Sequence, residues 1–92
     1  MAKFTLEDLA DYLSASDFES SSFFTNPDFL DAIVGTTEEG NVVYSYADMV
    51  TSLMKSQNIS QEEAIEFINY KTLRTIPYMP SPAPIIIYPL PI

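Results

Sequence analysis

The sequence predicts an α+β fold: one small domain of about three helices and a three-stranded sheet, in the order α-β-β-α-α-β. Three observations lead there. Thr5/Asp8, Ser45/Asp48 and Ser60/Glu63 each pair a hydroxyl with an acid three residues on, ahead of apolar residues at helical spacing. Two β-branched runs flank the polar, Gly-containing Thr37–Gly40. Ile85–Tyr88 is a short uninterrupted apolar run closed by Pro89.

The first helix is expected over Leu6–Ser14. Thr5 is its N-cap, Asp8 returns the capping interaction, and Phe4 stands where a hydrophobic staple would reach Leu9. Leu6, Leu9, Ala10 and Leu13 fall on one face, and the early acids suit the N-terminal dipole. Ser16–Asn26 is Ser-rich yet holds Phe18, Phe23 and Phe24, so it either lies across the core or forms a partner-binding surface. Asn26-Pro27-Asp28 reads as a turn or a short helical start.

The hairpin is expected as Leu30–Thr36, a turn at Thr37–Gly40, and Asn41–Tyr44. A second helix then carries Met49, Val50, Leu53 and Met54 on one face and stops near Gln57-Asn58. A third, opened by the Ser60/Glu63 capping box, runs through Ala64, Ile65, Phe67 and Ile68 to about Leu73. From Pro77 the prolines at 77, 80, 82 and 84 predict extended or polyproline II chain. The final strand, Ile85–Tyr88, is expected to join the hairpin. The chain so divides into an acidic helix with a Phe/Ser-rich loop (1–28), then hairpin, two helices, Pro-rich lead-in and C-terminal strand (29–92).

Composition bounds the function. The 92 residues carry 13 Asp and Glu against 4 Lys and Arg, a net charge of −9. The whole excess lies in residues 1–50, with ten acids and one base, Lys3; residues 51–92 hold three of each sign. That balance argues against direct contact with nucleic-acid phosphates or anionic membranes, which both need positive charge. With 47% hydrophobic and 13% aromatic residues, the chain has the composition of a folded rather than a disordered protein. It has no Cys, His or Trp, which removes disulfides, thiol and imidazole catalysis, and zinc sites built on those ligands.

The remaining motifs have structural accounts. The carboxylate clusters Asp28/Asp31, Glu38/Glu39 and Glu62/Glu63/Glu66 fit a turn, a hairpin tip and a helix start, so no enzymatic function, metal site or cofactor is expected. Glu38-Glu39-Gly40-Asn41 lacks the alternating ligand spacing of a calcium loop. Pro77-Tyr78-Met79-Pro80 matches P-x-x-P but leads into a core strand, so it reads as a rigid spacer. The last 18 residues are uncharged, yet six prolines interrupt them and a spanning helix is excluded. The N-terminus lacks the apolar run of a signal peptide, so the protein is expected in the cytoplasm, and Asn58-Ile59-Ser60 reads as a helix boundary rather than a glycosylation site.

The pattern DAIVGTTEEGNVVYSY, then EEAIEFINYKTLRTIPY, then PAPIIIY, resembles a group of short bacterial and phage-associated proteins of no established activity. The resemblance spans Asp31 to Tyr88. It implies a bacterial or mobile-element origin, and marks the first 30 residues as particular to this chain.

The residues point to a non-enzymatic protein-binding module whose partner has a basic surface. The expected contact set is Glu7, Asp8, Asp11, Asp17 and Glu19, with Phe18, Phe23 and Phe24 as aromatic anchors. With a phage or mobile-element origin, this would suit an inhibitor of a nucleic-acid-handling host protein. The alternative is a structural homo-oligomer assembled through the tail, Pro84–Ile92.

Overall fold

The computed structural model describes residues 4–90, so Lys3 and the end of the tail, Pro91 and Ile92, lie outside the described residues. Each helix start follows from its cap. Helix α1, Leu6–Ala15, begins with a closed capping box: the Asp8 N–H donates to Thr5 Oγ1 at 3.1 Å and the Thr5 N–H to Asp8 Oδ2 at 2.9 Å. Helix α2, Tyr46–Gln57, uses Ser45 as N-cap and ends on Asn58 in the left-handed region, φ 53°. Helix α3, Gln61–Phe67, opens on the reciprocal Ser60/Glu63 box.

The sheet is three-stranded, as expected: β1 (Ile33–Thr36), β2 (Val42–Ser45) and β3 (Ile85–Ile87), with β2 in the centre. β1 is antiparallel to β2, and the register slips between Ile33 and Gly35, making Val34 a bulge residue. β3 runs parallel to β2, pairing Tyr44 with Ile86. Parallel pairing needs a long crossover, which α2, α3 and the Pro-rich segment supply.

The inward residues of β2, Val42 and Tyr44, meet Leu9 and Leu13 of α1, Met49, Val50 and Leu53 of α2, and Ala64 and Ile68 in one core. Phe24 and Phe29 complete it, their rings edge to face at 5.9 Å. The first 30 residues are therefore integral to the core rather than appended to it. Ala10, expected on the buried face of α1, is exposed.

Two boundaries differ from expectation. The hairpin's first strand begins at Ile33 rather than Leu30, because Pro27–Ala32 forms a 3-10 turn capped by the Asn26 side chain, which accepts from the Asp28 N–H at 3.0 Å. The third helix, expected to about Leu73, is α-helical only to Phe67. It widens into a π turn over Ile68–Thr72 and then tightens into a 3-10 segment, Leu73–Tyr78. The inward residues explain this. Ala64, Ile68 and Thr72 are buried and recur every four residues, whereas an α-helix turns every 3.6, so each step would rotate the next residue about 40° off the core. The wider turn corrects that drift. Pro77 consequently lies within the 3-10 segment, so the P-x-x-P run is not polyproline II at its start.

Candidate docking surface

The chain after α1 reverses through a Schellman arrangement built on Asp17 rather than glycine. Asp17 adopts φ 64°, its N–H donates to the Ser14 carbonyl at 3.2 Å, and the Phe18 N–H donates to the Leu13 carbonyl at 2.7 Å. Phe18 is thereby turned back onto the hairpin, where its ring lies against Gly40. The serines that follow act as a clasp. Ser21 Oγ donates to the Gly40 carbonyl at 2.6 Å. Ser22 donates through its hydroxyl to the Pro80 carbonyl at 2.7 Å and through its N–H to the Pro82 carbonyl at 3.0 Å.

This geometry decides what each expected contact residue can present. Glu7, Asp8, Asp11, Asp17 and Glu19 are all exposed. On α1, at 100° per residue, Glu7, Asp8 and Asp11 occupy one stripe about 100° wide, opposite the buried Leu9 and Leu13. Two of the acids also hold structure: Asp8 closes the capping box and Asp17 occupies the left-handed turn. The phenylalanines are placed differently. Phe24 is 7% exposed and belongs to the core, while Phe18 and Phe23 are half-buried and pack against it. As an anchor Phe24 is corrected: its ring faces Tyr44 at 4.8 Å, inside the protein.

Other aromatic and apolar side chains reach the surface beside the acids. A groove of about 200 Å³ separates α1 from β1 and is lined by Phe4, Leu9, Tyr12 and Ile33–Thr36. A second, of about 390 Å³, runs from Phe4 and Glu7 to Pro27 and Leu30. A third, of about 480 Å³, lies between the 27–32 turn and α2, with Asp28, Asp31, Asp48 and Lys55 on its walls. Phe4 borders the first two and Pro27 the last two, so the three form one continuous surface. In sequence this was obscured because Asp28 and Asp31 lie on the 27–32 turn and Asp48 on α2, and Tyr12 on α1 reads as a lone exposed aromatic.

Of the three bases among the described residues, Lys55 stands on the wall of the third groove and the other two lie elsewhere. Lys71 lies over the Phe67 ring at 5.6 Å and Arg74 over the Tyr70 ring at 5.2 Å, on the widened third helix. Tyr46 donates to Asn69 Oδ1 at 2.9 Å and faces Tyr88 at 4.9 Å. Partial burial, with the neighbouring Tyr88 adding to it, raises the Tyr46 hydroxyl above its ordinary range, against the Asn69 hydrogen bond.

Among the described residues, no group of three or more carboxylates is placed to hold a metal ion, and no helix is long and apolar enough to cross a membrane. No protein-family model, no curated protein and no solved structure matches the chain.

Proposed function

We propose that the protein is a non-enzymatic binding module that acts in the cytoplasm by covering a basic surface of another protein, of the kind that otherwise holds nucleic acid. The observation that carries this reading is the continuity of the acidic surface. Glu7, Asp28, Asp31 and Asp48 line adjoining grooves, and Asp8 and Asp11 stand exposed on the same helix as Glu7. Residues 4–54 contain ten acids and no base. Such a field steers association with a positive partner, and exposed aromatics beside it supply contact area on arrival.

Capture from a bacterial lysate on the immobilised chain tests the reading. The expected result is retention of basic nucleic-acid-binding proteins that elute with salt and are competed off by added DNA or RNA. Glu7→Lys, Asp11→Lys and Glu19→Lys together are the informative variant, because Asp8 and Asp17 also hold backbone. Capture that ignores this triple reversal, or that nucleic acid does not compete, overturns the reading.

A second reading has one observation in its favour. β3 is an edge strand, with Ile85, Ile87, Tyr88 and Leu90 exposed, and its free side could pair with another copy of the chain.

A further inference from the structure

We propose that the groove between α1 and β1 receives an extended segment of the partner protein in which apolar residues alternate with Lys or Arg. This deepens the reading above and rests on it.

Four observations converge on the groove. Three of its wall residues leave large apolar surface in water: Phe4 at 47%, Tyr12 at 56% and Val34 at 61% exposure. Scattered exposed apolar residues are ordinary, but these three face one concavity. β1 is an edge strand, since only β2 pairs with it, and its bulge falls at Val34. Gly35, the next residue, is exposed, its φ is not in the left-handed range, and an added Cβ would meet nothing within 4 Å. Glycine weakens a strand; beside the bulge at Val34 it also leaves the groove wall open to close approach by another backbone.

Charge selects the occupant. The groove lining is itself uncharged, but Asp8 sits one turn before Tyr12 on α1, Asp31 precedes β1, and Glu38 and Glu39 follow it; all four are exposed outside the groove. Among the described residues, neither α1 nor β1 carries a Lys or Arg. An extended segment presents alternate side chains to opposite sides, so one set can enter onto Phe4, Tyr12 and Val34 while the other stays in water within the field of the surrounding acids.

The test is an NMR titration of the labelled full chain with the synthetic peptide Lys-Val-Lys-Val-Lys-Val-Lys, against an oligolysine of equal length. The expected result is shifts concentrated at Phe4, Tyr12 and Ile33–Thr36. Binding should weaken about tenfold in Tyr12→Ser and in Gly35→Leu, which adds bulk at the groove wall, with oligolysine weaker and diffuse. Unchanged thermal melting of the two variants separates lost binding from lost fold. Equal binding of both peptides, spread over the acids and indifferent to Gly35→Leu, overturns the groove while leaving acidic docking in place. Failure of the alternating peptide to bind at all also overturns it. Failure of the acidic reading itself appears separately, in lysate capture that ignores the Glu7/Asp11/Glu19 reversal.

Discussion

The backbone N–H of Phe24 donates to the Tyr44 hydroxyl at 3.0 Å, fastening the Phe/Ser-rich loop to the central strand from inside the core. Tyr44 is 1% exposed, and burial pushes its hydroxyl up to about 12, against the lowering effect of that hydrogen bond. Tyr44→Phe leaves the Phe24 N–H buried without an acceptor. It should cost about 1–3 kcal/mol in denaturant unfolding at neutral pH.

The same hydroxyl sets a pH dependence. The unfolded chain loses the Tyr44 proton near pH 10 and the folded chain only near 12, so above pH 10 the unfolded state binds fewer protons and stability falls. The contribution is intact below pH 10 and declines by about 2–3 kcal/mol on approaching pH 12. Unfolding curves across that window should show the loss in the natural chain, and a shallower one in Tyr44→Phe.

The two glycines should respond oppositely to alanine. At Gly40, φ is 93° and a Cβ would stand 2.7 Å from the Phe18 ring, so Gly40→Ala should destabilise by about 1–3 kcal/mol. Gly35→Ala meets open space and should be neutral or stabilising by a few tenths of a kcal/mol. Paired thermal melts of the two variants measure the contrast.

Asn41 holds the final strand in place from the hairpin. Its Nδ2 donates to the Ala83 carbonyl at 2.8 Å, and its Oδ1 accepts from the Thr37 hydroxyl at 2.7 Å. Asn41→Asp keeps the second bond and sets an anion against a carbonyl at the first. Hydrogen exchange at Ile85–Ile87 should accelerate in Asn41→Asp while α1 keeps its protection, at a cost of about 1–3 kcal/mol.

Light scattering separates the two proposed functions. A docking module should run as a monomer of 10.3 kDa in low salt, where a charge of −9 opposes self-association, and should stay one in high salt, because its surface suits a basic partner rather than a second copy. A dimer in high salt that Ile85→Lys abolishes would favour assembly through β3 instead.

The helix starts were legible because a cap is local chemistry: Thr5 and Asp8, or Ser60 and Glu63, lie within one turn and need no distant partner. The hairpin was legible for the same reason, through β-branched runs around Thr37–Gly40. The breadth of the third helix was not, since the π turn at Ile68–Thr72 answers to the core it packs on rather than to its own propensities. Nor was the role of the serines, since Ser22 bonds to Pro80 and Pro82 some sixty residues away in sequence.

For the candidate surface the division is similar. Exposure of Glu7, Asp8, Asp11, Asp17 and Glu19 followed from sequence, because ionised carboxylates are too costly to desolvate without partners. The aromatics beside them did not follow, because burying a phenylalanine is favourable wherever a cavity of its shape exists, and only the assembled core shows where that is. It took Phe24 inward and left Phe4 and Tyr12 at the groove. Sequence alone determined the element order, the caps and the sign and placement of the charge, all properties of neighbouring residues. Tertiary packing decided which face of α1 meets β1, how the early acids adjoin, and which rings remain in water, since those depend on contacts between residues far apart in the chain.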